Sequence, residues 1–157
     1  MALGDELAFP RGITHEDHEA LLSILVTGEL LKKESSRLFA PLGITAAQFN
    51  VLILLYAQTE DGAMSQSDLG RLLTVNRSNM TGLVDRLQKL GLAKRILDQD
   101  DRRVNRVALT VEGREIARKA QELYLGRIHT IMKVLSRDQW NALTDSLARI
   151  RKQIKTT

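Results

Sequence analysis

The sequence predicts a mainly α-helical fold that contains one small β-hairpin. Aromatic residues make up 4% of the 157 residues and there are only 10 Gly and 2 Pro, which is typical of a helical protein with few, short strands. Residues 92–109 contain two short strand-like segments joined by a charged turn, and the second segment alternates between its two faces, which is the pattern of a hairpin. The chain has the length of one domain, 1–157. We place a winged helix-turn-helix at about 45–110, between long helices at about 14–40 and 111–155.

The first long helix is predicted to begin at Thr14, which forms a capping-box-like pair with Asp17. Pro41 and Gly43 end it. A second helix starts at Thr45 with Gln48, and its residues 49–56 are apolar nearly all round. Such a helix belongs in the centre of the fold.

Two shorter helices follow and form the helix-turn-helix. Ser65 and Asp68 cap the helix Gln66–Leu73, and a minimal strand is expected just before it, at Ala63–Met64. The next helix runs from about Asn76 to Leu90. One of its faces is apolar and consists of Met80, Leu83, Val84, Leu87 and Leu90.

The hairpin, or wing, follows the turn at Gly91. Its outgoing strand is Leu92–Leu97, its tip Asp98–Arg103 carries three acids and two arginines, and its return strand is Val104–Leu109. Thr110 then caps a helix that continues to about residue 135. Ser136 and Gln139 cap a last helix, whose apolar stripe is Trp140, Leu143, Leu147, Ile150 and Ile154.

Positive charge is concentrated in the second part of the chain. Residues 1–64 hold 4 Lys or Arg against 9 Asp or Glu, whereas residues 65–110 hold 9 against 5 and residues 111–157 hold 10 against 5. A basic surplus over a helix-turn-helix is the electrostatic footprint of a phosphate-binding surface. For residues 111–157, an ordinary basic helix explains the surplus as well.

A helix-turn-helix presents the start of its second helix to the major groove of DNA. The recognition-helix candidates for base or phosphate contacts are Asn76, Arg77, Ser78, Asn79, Thr81 and Arg86. Ser65, Gln66 and Ser67 begin the supporting helix and are candidates for backbone contacts, although ordinary capping explains them too. Gly82 permits close approach either of DNA or of a packed neighbouring helix.

The wing is the second candidate DNA contact. Arg102 and Arg103 are expected to enter the minor groove, with Asp101 holding one guanidinium in place. Arg106 on the return strand joins this set. A solvated turn of mixed charge is the alternative.

Two motifs together resemble the multiple-antibiotic-resistance regulator (MarR) family. They are Asp101-x-Arg103-x5-Leu109-Thr110-x2-Gly113 in the wing, and Val75-Asn76-Arg77-Ser78-Asn79-Met80-Thr81-Gly82-Leu83-Val84-Asp85-Arg86-Leu87 followed by Gly91-Leu92. The resemblance implies a winged-helix homodimer, with intertwined terminal helices, on a pseudo-palindromic operator in double-stranded DNA. It also implies that the family's wing pair falls on Arg103 and Asp101, and its recognition-helix contacts on Arg77, Ser78, Asn79 and Thr81. Many members carry arginine where this chain has Gly82, so base reading from that position is absent here.

The resemblance further implies a crevice for a small anionic aromatic effector. The candidate lining residues are His15, His18, Phe39, Phe49 and Tyr56. The alternative for the aromatic residues is a place in the core.

Several other classes of site are not expected. There is no Cys, which excludes disulfides, thiolate zinc sites and thiol nucleophiles. His15 and His18 have only His129 to join them, so we predict no metal site, and no cofactor or enzyme motif is found. The sequence shows no signal-peptide pattern and no apolar run of about 18 residues, so a cytoplasmic protein that does not enter membranes is expected.

These observations predict a homodimeric, sequence-specific DNA-binding transcriptional regulator. We expect a repressor that occludes its operator and is released by the aromatic ligand. The alternative is a winged-helix protein that acts through protein partners or non-specific DNA binding without ligand control.

Overall fold

The computed structural model describes residues 3–8, 13–97 and 105–156, and the chain divides into two compact units, Met1–Gln121 and Glu122–Thr157. The described helices are α1 (Leu3–Glu6), α2 (Glu16–Phe39), α3 (Ala46–Ala57), α4 (Gln66–Leu73), α5 (Arg77–Lys89), α6 (Val111–Met132) and α7 (Arg137–Thr156), with a 3-10 turn at Ala40–Leu42. The strands are β1 (Ala63–Ser65), β2 (Ala93–Leu97) and β3 (Asn105–Leu109). The predicted mainly helical winged helix-turn-helix is confirmed.

The three strands form an antiparallel sheet in the order β1-β3-β2. Ala93 pairs with Leu109 at the base of the hairpin, and Ala63 pairs with Ala108 on the other side of β3. The predicted minimal strand and both predicted strands of the wing are therefore present. The tip, residues 98–104, lies outside the described residues.

Three of the predicted caps are confirmed by their hydrogen bonds. The Thr45 hydroxyl accepts from the Gln48 backbone N–H at 3.2 Å, and the Gln48 side chain accepts from the Thr45 N–H at 2.8 Å. The Ser65 hydroxyl accepts from the Asp68 N–H at 3.0 Å, and Ser136 and Gln139 form a reciprocal pair. Each partner lies three positions away, so local sequence determines these helix starts.

The predicted start of the first long helix at Thr14 is wrong. Helix α2 begins at Glu16, and its N-cap residue, His15, makes no side-chain capping bond. Acidic residues at Glu16, Asp17 and Glu19 occupy the first turn instead. Carboxylates in a first turn stabilise it through the helix dipole, without a hydroxyl cap.

Helix α3 lies in the core of the first unit, as its apolar sequence predicts. Val51, Leu52 and Leu55 are fully buried. Phe49 of α3 stacks on Phe39 at the end of α2, with ring centroids 4.2 Å apart. On α5 the apolar face is buried except for Leu90, which is 49% exposed because the helix ends at Lys89.

Within the described ranges, no single helix is both long and apolar enough to cross a membrane. The segment Glu16–Leu42 meets those criteria only together with α3, as a pair bent by 74°.

The turn after α5 contacts the start of α6 closely. A Cβ on Gly113 would lie 1.8 Å from the backbone oxygen of Leu92. The Thr110 hydroxyl donates to the Gly91 carbonyl at 2.6 Å and accepts from the Gly113 N–H at 2.9 Å. Gly113 is therefore required by backbone contact, and Thr110 caps α6 as predicted.

We expect Gly113→Ala to lower the free energy of unfolding by about 1–3 kcal/mol, because the Leu92 backbone must move. The matched control is Gly82→Ala in α5, where the new Cβ would meet only the Arg86 side chain, at 3.6 Å. That change should stabilise the protein by about 0.5–1 kcal/mol. Urea unfolding followed by circular dichroism measures both, and equal effects of the two substitutions would contradict this account.

Candidate nucleic-acid interface

Helix α5 is held by its buried face and presents its first turn to solvent. Met80, Leu83, Val84 and Leu87 are buried on one face, while the candidate contacts at its start are exposed: Asn76, Arg77, Ser78 and Asn79. This arrangement places polar side chains and free backbone N–H groups at the end of the helix that a DNA groove or phosphate would meet.

The turn between α4 and α5 is tight. Thr74 has a left-handed backbone with φ 55°, and the Val75 N–H donates to the Gly70 carbonyl at 2.9 Å. A Cβ on Gly70 would come 3.0 Å from the Val75 oxygen. These contacts fix the direction in which α5 leaves the turn.

Asn76 is the N-cap of α5. Its side-chain oxygen accepts from the Asn79 N–H at 2.9 Å and from the Ser78 hydroxyl at 3.3 Å. The Asn76 oxygen is therefore engaged in helix capping, while its exposed position keeps the amide next to the predicted contacts.

Two other predicted contacts bind each other. The Gln66 amide donates to the Thr81 hydroxyl at 2.7 Å, and that hydroxyl donates to the Arg77 carbonyl at 3.0 Å. Both side chains therefore use these polar groups to join α4 to α5. Their role as DNA contacts stays a prediction.

At the start of α4, Ser65 is also engaged. Its hydroxyl donates to a carboxylate oxygen of Asp68 at 2.7 Å, and Arg71 donates to the other oxygen at 2.9 Å. Hydrogen bonding by Arg71, and secondly by Ser65, holds the pKa of Asp68 below its ordinary value. Ser67 is exposed on the same turn.

Sequence reasoning missed an ion pair between the wing and α5. Arg95 of β2 lies 2.7 Å from a carboxylate oxygen of Asp85 and also donates to the Gln88 side chain. The sequence shows the opposite charges of Arg95 and Asp85, but whether the two side chains meet depends on how the hairpin packs against α5. Arg95 therefore ties the outgoing strand of the wing to the recognition helix.

Arg106 of β3 faces the turn that precedes β1. Its guanidinium donates to Asp61 at 2.7 Å and to the Ala63 carbonyl at 2.9 Å. The Ala63 N–H, and secondly Arg106, hold the pKa of Asp61 below its ordinary value. The DNA contact predicted for Arg106 stays a prediction, and Asp101, Arg102 and Arg103 lie outside the described residues.

The five candidate effector residues differ in position and burial within the described chain, and their role in binding an effector stays a prediction. His15 and His18 are exposed at the start of α2, and Phe39 lies about 30 Å further along that helix by its rise per residue. Phe39 and Phe49 are buried, which agrees with the alternative that these aromatic residues belong to the core. Tyr56 is half-buried, with the Arg114 guanidinium 6.0 Å from its ring centroid.

A Cβ on Gly82 would meet no neighbouring helix among the residues that the structure describes. The only atoms within 4 Å of an added Cβ, apart from the backbone of its own helix, belong to the Arg86 guanidinium among the described residues. The packed-helix explanation for this glycine is therefore wrong. Likewise, in the described part of the chain no three His, Cys, Asp or Glu side chains are grouped so that they could hold a metal ion.

The MarR family profile matches residues 42–104, which hold the helix-turn-helix and most of the wing. The HTH-type transcriptional regulator FarR of Neisseria gonorrhoeae is 28% identical over 140 residues, which are 88% of this chain and 94% of that protein. The transcriptional activatory protein BadR of Rhodopseudomonas palustris is 37% identical over 87 residues, which are 55% of this chain and half (50%) of that protein.

Solved structures share the fold over nearly the whole chain. Sco3205, a MarR family regulator from Streptomyces coelicolor crystallised with DNA, has a TM-score of 0.82 at 22% identity and covers 92% of this chain and 91% of its own. NadR in complex with 4-hydroxyphenylacetate has a TM-score of 0.66 at 28% identity, over 82% of this chain and 89% of its own.

We expect Asn76→Ala to lower the free energy of unfolding by about 1 kcal/mol, because the first turn of α5 loses its cap. Asn76→Ser should restore most of that stability because serine caps equally well. Thermal unfolding measures this, and DNA binding of the serine variant then separates the two roles of Asn76. If the alanine variant is as stable as the wild type, the capping bond contributes nothing.

Proposed function

Because the chain belongs to the MarR family of winged-helix transcriptional regulators, we propose that it binds a specific operator in double-stranded DNA as a homodimer. Members of this family are transcriptional regulators and not enzymes. The observation that carries the proposal is the exposed first turn of α5, where Arg77, Ser78 and Asn79 stand opposite a fully packed apolar face. A DNA-bound neighbour with the same fold supports it.

In this proposal, α5 reads the bases and the wing anchors the protein on DNA. Ser78 and Asn79 carry the hydrogen-bonding groups that can pair with base edges, and Arg77 can pair with bases or phosphates. The wing, through Arg102 and Arg103, supplies sequence-independent attraction in the minor groove. A cytoplasmic location follows from binding to genomic DNA.

Exposed apolar surface on the terminal helices supports a homodimer. Helix α7 has no buried residue in its own unit, and its stripe at Trp140, Leu143, Ile150 and Ile154 is at least 36% exposed at each position. Helix α2 exposes Leu21, Leu25, Leu30 and Leu31. A stable chain that leaves this much apolar side chain in water needs a partner surface, and a second copy carries the same stripes.

We further propose that the protein represses transcription by occluding its operator and that a small anionic aromatic ligand releases it. NadR bound to 4-hydroxyphenylacetate supports this ligand class. If the ligand binds more tightly to a conformation that does not bind DNA, it shifts the population of the protein away from the DNA-binding conformation.

We expect the wild-type protein to select a pseudo-palindromic duplex from a random pool and to prefer it about 10³-fold or more over a scrambled duplex. Asn79→Ala should change the base preference of the selected duplexes, because a base contact specifies sequence. Selection followed by mobility shifts over a salt series measures both. As a matched control, Ser67→Ala, on the supporting helix, should leave the base preference unchanged and affect affinity only.

Absence of any preference for the selected duplex over the scrambled one would contradict the proposal. It would favour the alternative, a winged-helix protein that acts through protein partners or binds DNA without sequence preference.

We expect sedimentation at micromolar concentration to give a species of twice the 17.6 kDa chain mass. Leu143→Glu should shift this species toward the monomer, because it places a charge within the apolar stripe of α7. Asn141→Glu, on the opposite face of the same helix, should leave the dimer intact. A wild-type protein that sediments only as a monomer would refute the dimer.

A further inference from the structure

The Arg86 guanidinium lies over Gly82, one turn earlier in α5. Its Nη1 and Nη2 atoms are 3.6 and 4.0 Å from the position that a Cβ on Gly82 would take. The neighbouring carboxylate, Asp85, is paired with Arg95 at 2.7 Å. Arg86 is exposed and forms no ion pair or hydrogen bond with any residue that the structure describes.

The position of Arg86 on the helix brings its charge toward the DNA-facing end. Ser78, Gly82 and Arg86 follow each other at intervals of four residues and lie on one row of the helix surface. Helical side chains lean toward the N-terminus, so the guanidinium is carried back by about one turn, or roughly 5 Å. The guanidinium therefore lies at the level of Gly82, one turn after Ser78, although its own Cα lies further along.

Gly82 makes this position available. A Cβ there would be in ordinary contact with the guanidinium at 3.6 Å, so a residue larger than alanine is needed to occupy the surface on which the guanidinium lies and to push it outward or further along the helix. The glycine leaves a shallow site that a flat guanidinium fills without any rearrangement of the backbone.

We propose that Arg86 is a specificity-determining residue that reads the edge of a guanine in the major groove from the surface over Gly82. A guanidinium presents two parallel N–H donors that match O6 and N7 of guanine. The inference rests on the proposed DNA-binding function. The proposal assigns base reading to Arg86, whose backbone lies in the third turn of α5. Its guanidinium supplies the contact at the level of Gly82, where glycine has no side chain to do so.

The test uses a duplex that the wild-type protein selects from a random pool and a scrambled duplex of the same composition. Arg86→Ala removes one contact from each half of the duplex and should weaken binding to the selected duplex about 30-fold or more and to the scrambled duplex much less. Replacing one symmetry-related guanine pair should cost the wild type a similar factor and cost Arg86→Ala little. Arg86→Lys should lose most of the preference, because it keeps the charge and loses the two-donor geometry.

Gly82→Leu tests the role of the glycine. It should reproduce the lost preference in the wild-type background and add little in the Arg86→Ala background, with helical content checked by circular dichroism. Additive losses would show that the two positions act separately and would overturn the role of Gly82.

Two results would overturn base reading by Arg86. One is an equal loss on both duplexes with a salt slope reduced by about one, which marks a phosphate contact. The other is an equal loss of preference in Lys89→Ala, a control that removes the same charge from the next turn of α5. If the wild type selects no duplex at all, the proposed function itself fails, whereas a selective wild type with an equally selective Arg86→Ala variant refutes only this inference.

Discussion

The winged helix depends on the close contact between the turn after α5 and the turn before α6. Gly113 has no Cβ, and only for that reason can α6 begin against the Leu92 carbonyl. The Thr110 N–H also donates to that carbonyl at 3.2 Å. Since Ala93 pairs with Leu109 directly beyond these turns, the same contact sets the base of the hairpin. The contact between Gly113 and Leu92 thus positions both the wing and α5.

Polar groups around α5 divide into those that hold the helix and those that remain available. Gln66 and Thr81 hydrogen-bond each other, and Asn76 caps the first turn. Asn79 stays exposed beside them, and Ser78 is exposed although its hydroxyl donates to the Asn76 side chain at 3.3 Å. Groups whose hydrogen bonds are satisfied within the protein gain little from a new partner. In the proposed DNA complex, discrimination between bases would therefore fall on few side chains, and the internal bonds would keep those side chains in a fixed frame.

Local signals in the sequence were sufficient for most of the fold and insufficient for much of the site. The caps at Thr45, Ser65 and Ser136 were predictable because both partners lie within one helical turn. The ion pair between Arg95 and Asp85 joins a strand to a helix and depends on tertiary packing, which no local pattern reveals. The same holds for Gly113, whose contact partner lies across the hairpin. Sequence identified the candidate recognition helix, and the structure showed which of its polar side chains cap it or join it to α4.

The number of base contacts that one α5 could make is an argument for the proposed homodimer. A good base contact contributes about 1–3 kcal/mol of discrimination, so the three proposed contacts by Ser78, Asn79 and Arg86 would together supply roughly 3–9 kcal/mol. A genome offers on the order of 10⁶ or more competing sites, and a factor of 10⁶ corresponds to about 8 kcal/mol. One helix reaches that value only if every contact is optimal, whereas two symmetric helices exceed it with ordinary contacts. In the proposed homodimer, the exposed apolar stripes of α2 and α7 would therefore contribute to DNA recognition, because they would bring the second helix to the operator.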